Sequence, residues 1–326
     1  MFSFGKSKKV INITLDDYMI RFIENNGKDL TSITTLAEKI IPQGTIQNGR
    51  IVDEMGFYEF MKEVVQEFRI KKRLCRFFVP QEMVIIRNLN IPNNVKQNEI
   101  KHYITMEIGN SIHFPFKDPV FDIYNIPQEN DDVKSVTIIA APEEEVIKYA
   151  QVFSDVDLKP IAVDMQSLGV YRYFLHQHGV LQDNKVYFLL EMSLLSANIS
   201  IFHNNLLEFH RYQSLNLSRD NWDISEEAPY IFSFKEGISY LHGLIENLMT
   251  EIERLMNFYR FSIHQGEKSI TDIIVFGDFP RFDLVEETLK RFDLPITILN
   301  VDEFSSDKSI SRAFIPALGL ALKGGK

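Results

Sequence analysis

A pattern of three short apolar strands occurs twice in the sequence, once near its start and once beyond its middle. The predicted strands cover residues 10–15, 19–24 and 30–40 in the first copy and residues 186–190, 197–203 and 206–213 in the second. Asn25-Asn26-Gly27 separates the second and third strands of the first copy, and Asn-Gly is a strong signal for a tight hairpin turn. The recurrence predicts an internal duplication of a three-stranded meander.

Each predicted meander is followed by helical and further strand signals. Apolar residues recur at helical spacing over residues 57–68 after the first copy and over 240–259 after the second. An apolar strand at 272–276, a helix at 283–292 and a strand at 296–300 then make a βαβ unit. Because βαβ units build sheets that are covered on both faces, we expect an α/β fold with two related lobes.

The region between the two copies has a different plan. It reads as a strand at 82–89, an amphipathic helix at 96–112 and strands at 120–125 and 133–141, before a helix that starts at Pro142. This order predicts an inserted α+β subdomain with a small sheet of its own. The predicted organisation is a first lobe of residues 1–79, 159–182 and 312–326, an inserted subdomain of residues 80–158, and a second lobe of residues 183–311.

Charge and composition exclude several classes of function. The formal net charge of -10 opposes general binding to nucleic acid, which demands clustered Lys and Arg. No apolar run reaches the roughly 18 to 20 residues that a membrane helix needs, and residues 1–9 do not resemble a signal peptide. The single cysteine, Cys75, cannot form an internal disulfide. We therefore expect a cytoplasmic protein that does not insert into the membrane and that reaches it through a partner.

Five stretches of the chain resemble, in the same order, the PilM family of type IV pilus assembly proteins within the actin-like superfamily. They cover nearly the whole chain. The second stretch includes the loop His113-Phe114-Pro115-Phe116, and the last ends in Pro-Ala-Leu-Gly-Leu-Ala. The stretches are residues 84–92, 99–122, 159–164, 251–259 and 313–321.

The resemblance implies an actin-like, ribonuclease H-like bilobed fold with duplicated domains and a nucleotide cleft between them. It also implies a peripheral cytoplasmic scaffold that binds the cytoplasmic tail of a PilN-like single-pass membrane protein, on the lobe that bears the insertion. The motor ATPase of pilus assembly is a further candidate partner.

Residues of the insertion are the candidates for binding this tail, since an extended peptide needs a sheet edge and apolar pockets. For Leu89 and Ile91 among them, core packing is the competing interpretation. The candidates are Arg87, Leu89, Ile91, Tyr103 and Phe114.

The nucleotide motifs that the resemblance implies are changed in this chain. An active relative carries Asp-x-Gly in the first hairpin of each lobe, where the acid holds a Mg²⁺-bound water and the glycine lets backbone N–H groups approach phosphate. Thr14 and Asp16 stand at these positions in the first hairpin, and Asp17 adds a second carboxylate. Two negative charges would then face the place of an anion.

The remaining motifs depart in the same direction. Glu191 and Ser193 replace the acid and the glycine of the second hairpin, and the adenosine motif reads Gly277-Asp278 where Gly-Gly is usual. A Glu-x-x-Arg pair on the long helix completes the implied cleft. The residues assigned to this eroded cleft are Thr14, Asp16, Asp17, Glu191, Ser193, Glu251, Arg254, Gly277 and Asp278.

These changes predict weak or absent binding of ATP and Mg²⁺, no hydrolysis, no catalytic residues and no resident metal. Three alternatives stay open. The carboxylates Asp16, Asp17, Glu191 and Asp278 could instead form a metal or acid–base cluster. The chain could be a functional actin-like ATPase whose nucleotide state gates partner binding, or it could form filaments. The sequence contains no P-loop, no HExxH motif and no nucleophile elbow.

Overall fold

The computed structural model of the chain describes residues 9–26, 30–125, 134–179, 184–301 and 310–324. Gly27 of the predicted hairpin turn and residue 133, the first of the strand predicted at 133–141, lie outside these ranges. The strands are β1 Lys9–Leu15, β2 Met19–Asn26, β3 Thr35–Ile40, β4 Ile46–Gln47, β5 Arg50–Ile51, β6 Leu74–Phe78, β7 Ile85–Ile91, β8 Pro119–Asn125, β9 Lys134–Pro142, β10 Lys159–Asp164, β11 Val186–Met192, β12 Ser196–His203, β13 Leu206–Ser214, β14 Trp222–Ile224, β15 Phe232–Phe234, β16 Asp272–Gly277 and β17 Ile296–Ile298. The α-helices are α1 Glu54–Glu67, α2 Ile100–Glu107, α3 Glu143–Asp155, α4 Gln166–His178, α5 Ile238–Asn257, α6 Phe282–Leu289 and α7 Ile315–Ala321.

Two five-stranded sheets with the same topology form the two lobes. Their strand orders are β3-β2-β1-β6-β10 and β13-β12-β11-β16-β17. In each sheet the first three strands are antiparallel and the last two run parallel to the first strand of the meander. The duplication predicted from the repeated meander is therefore confirmed. The third predicted strand begins only at Thr35, because Leu30–Ser32 form a turn of 3-10 helix whose Leu30 side chain is buried.

The core of the first lobe lies between its sheet and helices α1 and α3. Phe153 of α3 packs edge-on against Phe77 with ring centroids 5.1 Å apart, and Tyr149 packs against Phe57 at 5.7 Å. Helix α3 falls within residues 80–158, the predicted inserted subdomain. The structure places it in the core of the first lobe, because its apolar face matches that of α1. Cys75 is buried in the same core, and this burial raises the pKa of its thiol to about 12.

Helices α4 and α7 pack against each other where the two lobes meet. Their backbones approach closely at Gly169 and Gly319: a Cβ on Gly319 would lie 2.0 Å from the carbonyl oxygen of Gly169. The surrounding cluster draws on both sheets, from Ile23 of β2 to Phe276 of β16. Both lobes therefore pack against these two helices.

The inserted subdomain is a three-stranded antiparallel sheet in the order β7-β9-β8 with α2 on one face. The predicted helix at 96–112 extends only over Ile100–Glu107, because Gly109 turns the chain with a φ of 88°. In the second lobe, α5 continues into a π-helical turn at Phe258–Ile263. Among the described residues, no helix combines the length and apolar character needed to cross a bilayer.

Candidate functional site

The predicted nucleotide cleft contains one small cavity between the lobes. Its volume is about 10 Å³, close to the minimum for a single water molecule. Six of the nine predicted cleft residues line it. They are Thr14, Asp16, Glu191, Ser193, Gly277 and Asp278.

A buried ion pair joins the lobes beside this cavity. Arg21 of β2 places its Nη2 2.7 Å from Oδ2 of Asp278, and its Nε lies 3.0 Å from the carboxylate of Glu38. Tyr18 donates a hydrogen bond of 2.7 Å to Asp278, and its ring packs in the core of the second lobe. Arg21 and Tyr18 belong to the first lobe and Asp278 to the second. The residue at the adenosine motif therefore contacts protein side chains of the opposite lobe.

The electrostatics of this pair follow from burial and from the nearby carboxylates. Burial opposes the charge on Arg21, but Asp278 and the other carboxylates outweigh it and raise the pKa of the guanidinium. Burial, together with the charges of Asp278 and Glu191, raises the pKa of Asp16 well above its ordinary value. The surroundings of Asp16 thus oppose its charged form, although Arg21 lies 3.8 Å from its carboxylate and favours it.

Asp17 does not take part in the cleft. Its carboxylate accepts hydrogen bonds from the backbone N–H of Asn48, at 2.7 Å, and of Gly49, at 2.9 Å. The predicted pair of charges at the phosphate position is therefore not formed, because one carboxylate caps the turn between β4 and β5. The predicted alternative of a four-carboxylate cluster fails for the same reason. Within the described ranges, no group of three or more His, Cys, Asp or Glu side chains is placed to hold a metal ion.

Glu191, at the end of β11, is held by three side-chain amides. Gln81 donates to Oε2 at 2.6 Å, Gln166 donates to Oε1 at 2.5 Å, and Asn198 donates to Oε2 at 3.1 Å. All four side chains are buried. Burial raises the pKa of Glu191 to about 7, although the amide donors favour the charged form.

This pKa has a consequence for the pH dependence of stability. The folded state binds the Glu191 proton more tightly than the unfolded chain, whose carboxyl has its ordinary pKa of 4.5. The contribution of Glu191 is therefore fully present below pH 4.5 and is lost as pH rises through about 7, on the order of 3 kcal/mol in total. Urea denaturation at several pH values should show a smaller loss over this window for Glu191→Gln than for the unmodified chain. Parallel curves would contradict the assignment.

The other predicted cleft residues are engaged elsewhere. The hydroxyl of Thr14 donates to the carbonyl of Arg21 at 3.3 Å, and that of Ser193 lies 2.8 Å from the Ser196 hydroxyl. Glu251 and Arg254 pair with each other on the exposed surface of α5 and do not line the cavity. Gly277 has a φ of 130°, and a Cβ there would lie 1.9 Å from the carbonyl oxygen of Met192. The contact between β16 and β11 is therefore enough to require a glycine at this position.

A much larger groove lies between the first lobe and the inserted subdomain. Its volume is about 570 Å³, and apolar side chains of α4, β8 and β9 form most of its walls. Five consecutive residues of β8, 120–124, line it. Side chains alternate between the faces of a strand, so contact with consecutive residues means that the groove follows the edge of β8. Within the described part of the chain, this outer edge pairs with no other strand.

The groove has a charged end. Asp164, at the end of β10, forms ion pairs with Arg172 and with Lys323, whose Nζ lies 3.0 Å away. Arg172 also donates to the carbonyl oxygen of Gly319 at 2.6 Å. These contacts fix the ends of β10 and α7 beside the groove.

The five predicted partner-binding residues do not line this groove. Ile91 is buried in the core of the inserted subdomain, and Leu89, Tyr103 and Phe114 pack around that core. Arg87 is exposed on β7. Four of these five residues therefore pack in or around the core of the inserted subdomain. The role of all five in partner binding stays a prediction.

Four residues that close the cleft are not among those predicted from the sequence, namely Tyr18, Arg21, Gln81 and Gln166. Arg21 could have been found from its place in an apolar strand, because a charge that is buried with such a strand needs a partner. The two glutamines follow the ends of strands, but nothing local marks them as neighbours.

Two sheets of identical topology around an interlobe cleft, with a subdomain inserted into the first lobe, define an actin-like fold. The family model described as type IV pilus assembly protein PilM matches residues 13–323. The chain belongs to the PilM family.

Solved structures agree with this fold. A structure described as a PilM–PilN type IV pilus biogenesis complex superposes with a TM-score of 0.76 at 16% identity, covering 97% of this chain and 98% of that chain. The cytoplasmic domain of EpsL, an inner membrane component of the type II secretion system of Vibrio cholerae, gives a TM-score of 0.51 at 7% identity and covers 96% and 94%. EutJ of Carboxydothermus hydrogenoformans gives 0.50 at 10% identity, with 96% and 89% covered. No curated protein sequence matches the chain significantly.

Proposed function

We propose that this chain is a cytoplasmic scaffold of a type IV pilus or related secretion platform that holds the cytoplasmic tail of a PilN-like membrane protein in the groove beside β8. The observation that carries the proposal is an apolar groove of about 570 Å³ that follows an unpaired strand edge. The structural neighbour that contains PilN supports this choice of partner. Such a scaffold would lie at the inner face of the membrane through its partner.

The groove suits an extended peptide better than a compact ligand. An added strand would satisfy the backbone N–H and C=O groups on the free edge of β8, and alternate side chains of the peptide would enter the apolar walls. Val120, Tyr124 and Leu168 lie on these walls. Backbone pairing would supply affinity, and the shape of the walls would supply specificity for apolar side chains.

The same proposal assigns no enzymatic role to the cleft between the lobes. Its cavity of about 10 Å³ has no room for a nucleotide, and Asp278 already occupies the cationic partner Arg21. The retained Gly277 is accounted for by its contact with Met192. These observations support the proposal that the cleft does not hold ATP and that the interlobe ion pair joins the lobes instead.

A charge on the groove wall should weaken tail binding. Val120 is 40% exposed, so Val120→Glu is expected to fold normally, yet it would place a carboxylate among apolar groove walls. We expect the affinity for a synthetic peptide of the PilN-like tail to fall at least about tenfold by isothermal titration calorimetry. Met106→Glu is the matched control, because Met106 is an exposed residue of the same subdomain that does not line the groove. Equal affinities for both variants would contradict the groove assignment.

Titration with ATP and Mg²⁺ tests the competing function of a nucleotide-gated ATPase. We expect no saturable heat and no shift of the melting temperature up to millimolar ATP. The double variant Asp16→Gly, Asp278→Gly removes the carboxylates at the implied phosphate positions, and some nucleotide affinity should return if those changes caused its loss. Saturable binding of submillimolar ATP to the unmodified chain would favour the ATPase instead.

A further inference from the structure

The walls of the groove and the side chains of the interlobe cleft meet in two short segments. Gln81 follows the end of β6, and Gln166 follows the end of the adjacent parallel strand β10. The N–H of Val79 donates to the carbonyl oxygen of Asp164 at 3.0 Å, which joins the two segments where the strands end. The carboxyl ends of two neighbouring strands therefore carry both glutamines.

Groove residues flank each glutamine in the sequence. Val79 and Val84 line the groove on either side of Gln81, and Met165 and Leu168 line it on either side of Gln166. The glutamine side chains do not line the groove; they are buried and donate to Glu191 instead. Whatever holds these two side chains also fixes the position of the groove walls next to them.

Both glutamines donate to the same carboxylate of the other lobe, one to each oxygen of Glu191. We propose that Glu191 is a positioning residue for the groove: by accepting hydrogen bonds from Gln81 and Gln166 it fixes the two wall segments, so that tail affinity depends on a contact made across the cleft. This inference rests on the proposed function, because it concerns the same groove. None of the three amides that bond to the Glu191 carboxylate lines the groove. Glu191 would therefore act on the groove indirectly, through Gln81 and Gln166.

The bonds from Gln81 and Gln166 to Glu191 would preorganise the groove walls for the tail. A buried hydrogen bond to a carboxylate is stronger than a neutral one, and breaking it leaves a buried donor without a partner. Released wall segments would have to be ordered again when the tail binds, and that cost reduces affinity without removing any contact to the tail. A shift of the second lobe relative to the first would act on the groove through the same two bonds.

An exchange of the amide and the carboxylate tests the contact itself. In Glu191→Gln the new amide NH₂ faces that of Gln81, and in Gln81→Glu two carboxylates face each other. The double variant Gln81→Glu, Glu191→Gln restores one donor and one acceptor between positions 81 and 191, while its new carbonyl oxygen still accepts from Gln166. Asn198 loses its acceptor in the double variant as it does in Glu191→Gln, but Asn198 lies on β12 and does not line the groove. We expect each single variant to bind the synthetic tail peptide about tenfold more weakly, and the double variant to recover most of the affinity.

Two further measurements separate this inference from general destabilisation and from the proposed function. Ile252→Val lowers stability in the core of the second lobe away from the three residues and should leave peptide affinity unchanged. If the unmodified chain does not bind the peptide, or Val120→Glu leaves binding intact, the proposed function fails. If Val120→Glu weakens binding but the single variants do not, or the double variant fails to recover, the role of Glu191 is overturned while the groove stands.

Discussion

Replacing Asp278 with alanine is expected to lower the free energy of unfolding by about 3 kcal/mol, because it leaves the buried guanidinium of Arg21 without its closest carboxylate. The Arg21 side chain is only 6% exposed, so water cannot take the place of the lost partner. Tyr18 loses its hydrogen-bond acceptor in the same variant. Glu38, at 3.0 Å from Arg21, remains and keeps the loss from being larger.

Asp223→Ala is the matched control for this experiment. Asp223 also lies in the second lobe and pairs with a basic residue, Lys235, but it is 74% exposed. Exposed pairs contribute little, so its loss should change stability by no more than about 0.5 kcal/mol. Guanidinium chloride denaturation of both variants gives the comparison. Similar small losses for the two would mean that the interlobe ion pair does not stabilise the fold.

Gly319→Ala is expected to cost about 3 kcal/mol or more, because the added Cβ would lie 2.0 Å from the carbonyl oxygen of Gly169. The clash is with backbone, so a rotamer change cannot relieve it. Helices α4 and α7 would have to separate, and this would disturb packing shared by both lobes.

Gly243→Ala, also in an α-helix, is expected to raise the free energy of unfolding where Gly319→Ala lowers it. Gly243 lies within α5, and a Cβ there meets no atom within 4 Å. Alanine has the higher helix propensity, so this variant should be more stable by about 0.8 kcal/mol. Thermal melts of the two variants test the pair of predictions. A Gly319→Ala protein as stable as Gly243→Ala would refute the close approach of the helices.

The fold was largely predictable because its elements are encoded locally. Alternating apolar residues and turn signals identified the strands of both meanders, and helical spacing identified α5, which begins at Ile238 rather than at the predicted residue 240. Errors arose where local signals compete with tertiary packing. The helix predicted at 96–112 ends at Glu107, before the turn at Gly109, and α3 joins the first lobe through a matching apolar face that sequence order does not reveal.

The site was less predictable because it is formed by contacts between distant residues. Arg21 and Asp278 are 257 positions apart, and no spacing rule connects them. Asp16 and Asp17 are neighbours in sequence, yet one faces the cavity and the other caps a turn. The groove arises only when the insertion folds back on the first lobe, so residues chosen for their place on β7 and α2 were found around the small core instead.

The ion pair between Arg21 and Asp278 also makes its two members unequal in how far each depends on the other. Without the arginine, Asp278 would be a buried charge with no cation beside it, which destabilises a fold. Arg21, in contrast, has a second carboxylate within its own lobe in Glu38. The aspartate therefore depends on the arginine more than the arginine depends on the aspartate.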